Sequence, residues 1–370
     1  MIRVSMTTPE RVTEAHSERQ FPGLEALRFA SAMLVLIGHY THFLAVPGAP
    51  RAYSVLPWQA ALGFGYRSGS FGVIVFWFIS GFIFTWKYAE AIHRRAVSGR
   101  EFTVHRFSRL YPLHLLTLVL VAVGQQICVA RYGEPFIYPN NDAYHFGLHL
   151  LFISGWVRPQ SEYSFNGPIW SVSLEILVYA VFFLAARRLC LPLWHFLIAA
   201  VVLVSGAVIF KMVPLLTCLL CFAGGGMICR FHGLIAAWPG RGLCLALATV
   251  VVGGSLYLLQ TLPPESVKVI TVVALIAAGA LVMVFASLHL AGLPRLVKLA
   301  NFAGSMTYAS YLLHFPVQLF WVLVCPSWIV VGHPVTLLAY LFVVCAISSV
   351  VYTRVEMPAQ SWLRVRLRRG

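Results

Sequence analysis

Charge is what this sequence has least of. Asp, Glu, Lys and Arg together make up 11% of its 370 residues, against about 25% in an ordinary soluble domain. Acidic residues are scarcer still, 12 against 27 basic ones. With 59% hydrophobic residues, so few charges cannot cover a water-facing surface, which excludes a soluble globular protein. Short alternating strands are also missing; the apolar runs are about 20 residues long, so the spans are helices and not a barrel. The eight cysteines form no disulfide framework or metal pattern. Cys218 and Cys221 make a lone C-x-x-C with Leu-Leu between them inside an apolar run, where thiols act as small hydrophobes. The net charge of +15 raises the question of nucleic acid, but the basic residues sit in short segments between apolar runs and report topology instead. No secretory signal precedes the first run; residues 1–20 are polar and read as a cytoplasmic tail, and 363–370 as a basic one.

What is there is an all-α, polytopic membrane domain over 21–362. Ten spans are expected, near 24–44, 71–88, 108–129, 168–186, 192–210, 214–230, 242–260, 267–288, 302–324 and 334–353. With the N-terminus inside, 21 of the 27 Lys and Arg residues fall on the inner side, which places both termini in the cytoplasm. Two outer loops are long, 45–70 and 130–167; a short helix is expected near His145 to Phe152 in the second. The one sizeable inner loop is 87–109. The Ser80-Gly81 pair and the Gly224–Gly226 run are read as helix-packing positions.

The first span, LEALRFASAMLVLIGHYTHF from Leu24 to Phe43, carries Glu25, Arg28 and His39, and ionisable groups inside such a run are functional suspects. Arg28 and His39 are eleven helical steps apart, about three turns, so they share a face about 16 Å apart. Counting depth along each helix puts His39 and Glu175 at one level in the outer half of the membrane, with His314 slightly deeper. An acid beside an imidazole would fix its tautomer and raise its basicity; a structural polar clamp between helices is the alternative. Arg28, Arg106 and Arg109 gather at the inner surface, with Lys87, Arg94 and Arg95 nearby, where lipid phosphates or a polyanionic ligand would suit them. Positive-inside bias alone accounts for Arg94, Arg95 and Arg100. His145 and His149 have i, i+4 spacing without the carboxylate of an H-E-x-x-H motif, so no metal site is expected. Trp58, Tyr66, Tyr144, Trp156 and Tyr163 in the outer loops serve either as sugar-stacking rings or as interfacial anchors.

These stretches together resemble the acyltransferase-3 family of integral membrane O-acyltransferases. LEALRFASAMLVLIGH is similar to its LDGLRxxAxxxVxxxH signature, FGVIVFWFISGF to GVDLFFVLSGF, and FTVHRFSRLYP to the RRxxRIYP block. NGPIWSVSLEILVY is similar to NxxxWSLxxExxxY, while GSMTYASYLLHFPV and VEMPAQSW resemble the closing GxxSYxxYLxH and ExP elements. Six blocks recur in family order from Leu24 to Trp362. Glu25 and Ala26 replace the usual Asp and Gly, and Ile74 stands where the family usually has Asp.

The resemblance implies a multi-pass protein of the bacterial inner membrane that takes an acyl group, acetyl above all, from acyl-CoA. No cofactor is bound permanently. The acceptor would be a hydroxyl of a cell-surface glycan or lipid-linked sugar, or of a small glycosylated metabolite such as a macrolide. In that scheme Arg28, Arg106 and Arg109 hold the coenzyme A phosphates, His39 is the general base, and Glu175 orients it or shares its proton. Glu25, Ser80, Trp170, Tyr311 and His314 line the substrate pocket. A proton-coupled transporter or flippase using the same His and Glu as a relay is the competing reading from another class.

Overall fold

The computed structural model describes residues 21–46, 52–157, 163–210, 214–263, 265–288, 290 and 292–369. The expected polar tail 1–20 lies outside them. Each expected span is a helix. In chain order these are α1 Pro22–His39, α2 Gln59–Arg67 and α3 Gly69–Phe84. Then come α4 Gly99–Tyr132, α5 Ala143–Leu150, α6 Ile169–Arg188, α7 Leu193–Phe210 and α8 Pro214–Ile235. The chain ends with α9 Arg241–Thr261, α10 Val267–Ala286, α11 Pro294–Ser305, α12 Thr307–Val324, α13 Pro334–Val351 and α14 Met357–Arg369. Eight helices are long and apolar enough to cross a membrane, and no strand occurs among the described residues. The chain is a polytopic helical membrane protein.

Three boundaries differ from the sequence reading. The inner loop 87–109 is mostly helix: α3 runs on through a π-turn at Thr85–Ala89 to His93, and only five residues separate it from α4. The ninth span breaks at Met306 into the amphipathic α11 and the buried α12. His314 is therefore seven residues past the start of its helix, about 10 Å rather than about 18 Å. Residues 363–369 are the end of α14, which lies along α4 through Arg100 Nη2 donating to the Leu367 carbonyl (3.0 Å) and Arg364 to Ser108 Oγ (3.4 Å). The short outer-loop helix is α5, capped by Asp142, whose carboxylate accepts from the backbone N–H of His145 (2.9 Å).

The bundle is organised around α1 and α3. Leu24, Leu27, Val35 and Leu36 of α1 are buried, and α1 packs against α3, α10, α11 and α12. On the other side α3 meets α8 at backbone contact. A Cβ at Gly81 would collide with the Phe222 carbonyl oxygen, and one at Gly225 with that of Phe78. The glycines thus serve the close packing the sequence assigned them. At the periphery α9 packs chiefly on α10 and turns nearly all of its surface outward.

One junction positions the site. Pro316 lies inside α12 and has no N–H, so the Leu312 carbonyl loses its helical donor. Asn166, just ahead of α6, supplies the replacement: its Nδ2 donates to that carbonyl at 2.9 Å. This pins the outer end of α6 to the middle of α12. Ser171 Oγ and Tyr311 OH then meet at 2.7 Å, and Tyr311 OH also donates to the Pro168 carbonyl at 2.8 Å.

Candidate active site

A cavity of about 120 Å³ opens between α1, α3, α4, α6 and α12. Arg28, Arg106, Arg109, Ser80, Glu175 and Tyr311 all line it. Its wall on α3 extends from Val73 to Phe84, eleven residues or about 16 Å along the helix. It is a cleft with a few polar groups between apolar walls.

The arginines occupy the end that the basic-residue count places inside. Arg28 pairs with Glu25 at 2.8 Å, a residue wedged against Gly304 of α11, where any Cβ would strike its carboxylate. Arg106 donates to Tyr88 OH at 2.7 Å and lies over the Phe84 and Tyr88 rings, 4.9 and 5.2 Å from their centroids. The π-turn at Thr85–Ala89 is what brings Tyr88 to it. Its buried Nε has no partner. Arg109 has the carboxylates of Glu356 and Glu25 in its electrostatic surroundings but makes no direct ion pair among the described residues. Two of the three guanidinium groups thus keep unused donor capacity beside the slot, the condition for binding an anion.

Glu175 sits midway, its carboxylate beside the Ser80 and Tyr179 hydroxyls, and its Oε1 makes no hydrogen bond. Its charge neighbours are Arg109 and Arg28. His39 is not among them, which corrects the pairing expected from helix depth. His39 Nδ1 is 2.9 Å from the Val35 carbonyl oxygen. A carbonyl can only accept, so the Nδ1 carries the proton and Nε2 keeps its lone pair. The group that fixes the imidazole is therefore the backbone of its own helix. Equal depth put His39 and Glu175 on one level, but α6 turns Glu175 toward the slot while His39 faces α12.

What His39 meets is a second cluster, on the outward side. Its ring lies 4.7 Å from that of His314 and 4.9 Å from that of His42. Gln318 ties two of them together: its Nε2 donates to the His39 carbonyl (2.7 Å), and its Oε1 accepts from His42 Nδ1 (3.0 Å). Arg28 lines the slot together with Thr307, Tyr308 and Tyr311 of α12, and His39 meets α12 directly at His314 and Gln318. Tyr311 connects the two clusters: it lines the slot, and its ring is 5.9 Å from that of His314.

Glu25, His314 and Trp170, expected in the pocket, stand one layer behind it. Trp170 packs edge-on against Trp77, a lining residue, at 5.8 Å. The sequence reading missed His42 and Gln318, although Gln318 lies one helical turn past His314 and Pro316 marks an unpaired carbonyl nearby. Tyr163 is stacked near Trp170 (6.2 Å) and Tyr66 donates to the Pro57 carbonyl, so these two are packed, while Trp58, Tyr144 and Trp156 are exposed, Trp156 although its indole N–H donates to the Ser173 carbonyl. His145 Nδ1 bonds Asp142 (2.8 Å) and His149 Nε2 bonds Ser164 Oγ (3.0 Å), so the i, i+4 pair serves the outer loop. The His145 backbone N–H and imidazole hold the Asp142 carboxyl below its usual value, and burial presses His149 down to about 3.

A helical membrane bundle with an arginine-lined slot and a tautomer-fixed imidazole in the neighbouring cluster defines a class: a polytopic membrane protein with a polar site inside the bundle. Comparison with known proteins makes the class specific. The model of a family described as an acyltransferase domain matches residues 21–353, and the chain belongs to that acyltransferase-3 family. Exopolysaccharide production protein ExoZ of Rhizobium meliloti (strain 1021) is 29% identical over 268 residues, 68% of this chain and 77% of that protein. Acyltransferase MdmB of Streptomyces mycarofaciens is 32% identical over 133 residues, 35% of this chain and 29% of MdmB. Protein 2 in the picA locus of Rhizobium radiobacter is 30% identical over 129 residues, 31% and 65% of the two chains. The matched region thus spans less than two thirds of MdmB and of the picA-locus protein. No solved structure matches.

Proposed function

We propose that this acyltransferase moves a small acyl group, acetyl above all, from acyl-CoA to a sugar hydroxyl of an envelope glycan or its lipid-linked precursor, in the bacterial inner membrane. The observation that carries the reading is the slot itself, with cations at its inner end and His39 beyond its outer end. Arg109 and Arg106, with Arg28 held by Glu25, would take the donor's phosphates at the mouth. The slender acyl-pantetheine arm would run along the slot from that mouth. Its thioester carbonyl would then lie near Tyr311 and Ser171, and a developing oxyanion there would draw a hydroxyl proton away from the Pro168 carbonyl.

His39 Nε2 removes the proton of the acceptor hydroxyl as that oxygen bonds to the acyl carbon. The carbon–sulfur bond breaks, and the departing thiolate recovers the proton from His39. No covalent enzyme intermediate is needed. Glu175 acts within the slot, opposite the arginines, and not on the base. The glycan acceptor draws support from the printed name of ExoZ, which concerns exopolysaccharide production.

The test is transfer by detergent-purified protein given radiolabelled acetyl-CoA with and without candidate glycans. Labelled ester that disappears in His39→Ala supports the enzyme. Proton-coupled flux in proteoliposomes with no thioester turnover would establish the transporter reading instead.

A further inference from the structure

His39 is oriented by its own helix but located by its neighbours. With Nδ1 bonded to the Val35 carbonyl at 2.9 Å, the ring is fixed relative to the last turn of α1, and wherever α1 ends the imidazole goes with it. His39 is the final residue of α1, and the chain continues as a tighter 3₁₀ helix over Tyr40–Ala45. A helix end is a poor anchor, because its last carbonyls have lost their regular donors and its last turn frays. This one is held from outside α1.

Two contacts hold it. On one side α1 touches the start of α3 through backbone alone: a Cβ at Gly38 would come within 2.8 Å of the Gly69 Cα. On the other side stands Gln318 of α12, fully buried at 0% exposure. Its Nε2 donates to the His39 carbonyl at 2.7 Å, and its Oε1 accepts from His42 Nδ1 at 3.0 Å. The polarity of that amide is forced. The His39 carbonyl can only accept, so the NH₂ group faces it and the amide oxygen faces His42, which therefore carries its proton on Nδ1. A reversed amide would set two oxygens against each other. Burying an amide is costly unless both its ends are bonded, and an apolar side chain would pack here without that cost. What the amide adds is direction, at the residue that carries the base.

We infer that Gln318 is the positioning residue of the catalytic base: with His42 bracing its oxygen, it holds the end of α1 against α12 and so sets where His39 Nε2 stands. The inference deepens the proposed function and rests on its assignment of His39 as base. Gln318 does not line the slot, and it acts on the reaction only through the backbone of His39. Misplacing a reacting group by about 1 Å can cost about 10²-fold in rate, so a single bond behind the base is enough to govern turnover.

The test uses full-length protein in nanodiscs, with radiolabelled acetyl-CoA as donor and p-nitrophenyl β-glucoside as the probe acceptor. Gln318→Met, similar in size but unable to donate, is expected to lower kcat by about 10- to 100-fold while leaving the donor's KM unchanged. Calorimetric titration with acetyl-CoA should still show wild-type stoichiometry, which a partly misfolded variant would not. Gln318→Glu keeps an acceptor for His42 but sets a carboxylate oxygen against the His39 carbonyl, and should lose at least as much. The conservative change at the brace is the sharpest arm: in His42→Asn the side-chain amide donates from the place of the imidazole Nδ1, and kcat should recover most of what His42→Phe loses. Unchanged kcat in Gln318→Met, or a fall matched by lost donor stoichiometry, overturns the inference and leaves Gln318 a packing residue. His42→Asn as slow as His42→Phe also overturns it, because His42 would then act through Nε2. His39→Ala is run alongside: if it keeps transfer, the base assignment falls and the inference with it, whereas a dead His39→Ala beside a fully active Gln318→Met removes only the positioning role. A wild type that labels no glucoside overturns the sugar acceptor of the proposed function, and the inference with it.

Discussion

The inner slot and the outer imidazole cluster are built by opposite means. In the slot, charges answer charges at long range: Glu25 meets Arg28 directly, whereas Arg109 has carboxylates around it but none in contact. In the cluster, polarity is local and neutral. Each fixed imidazole is tied by a single acceptor, a backbone carbonyl for His39 and an amide for His42. The difference teaches how two tasks are kept apart inside one membrane domain. A polyanion is attracted by incompletely neutralised cations, while a base must remain uncharged until it acts, and a carboxylate beside it would compromise that.

This separation can be broken experimentally, and the largest effect should come at the cluster. Replacing His39 with Ala should cut turnover by about 10²- to 10⁴-fold, the usual span for losing a general base, with little change in the donor's KM; steady-state kinetics at saturating donor reads it. Next is Arg109→Ala, expected to raise the donor's apparent KM by about 10- to 100-fold while sparing turnover, as loss of a charge-assisted contact does. Equal effects of both changes on both parameters would merge the two regions into one.

A smaller effect is expected where the regions are joined. Asn166→Ala leaves the Leu312 carbonyl without its donor and should cost about 1–3 kcal/mol, visible as a lower Tm in detergent and as partial loss of activity. Preserved stability would mean that the clamp at Pro316 does not hold α6 to α12.

The smallest effect sharpens the comparison most. The rate should fall as pH drops through the pKa of the base, because protonated His39 cannot accept the hydroxyl proton. Were Glu175 its partner, Glu175→Gln would remove a stabilising negative charge, lower that pKa and move the acid limb of the kcat/KM profile to lower pH. With Glu175 in the slot instead, the limb should stay in place and the change should appear in the donor's KM. A displaced limb would return Glu175 to the catalytic base.

Much of this was legible in the chain. The apolar runs gave every membrane helix, because no other structure satisfies the backbone in lipid. Helical spacing gave the common direction of Arg28 and His39, and the basic run through Arg106 and Arg109 gave the inner end of the slot. What it could not give was rotation. Glu175 and His39 were matched by depth, a coordinate along the helix axis, whereas contact also depends on the angle about that axis, which neighbouring helices set. For α6 that angle is fixed by Asn166, and nothing local to Glu175 announces it. The break at Met306 was hidden for a related reason: the last turn of α11 runs into α12 without a charged interruption, and only the close approach of Gly304 to Glu25 shows where the chain must turn.

The partner of the Leu312 carbonyl lies 146 residues earlier in the chain. During synthesis, then, the receptor for that exposed peptide group is made long before the group itself. When α12 enters the bilayer, its proline-bared backbone finds an amide already waiting and need not remain unsatisfied in hydrocarbon. Order of translation thus supplies what a proline-bearing helix lacks, and the outer threshold of the slot can close only once nearly the whole protein has left the ribosome.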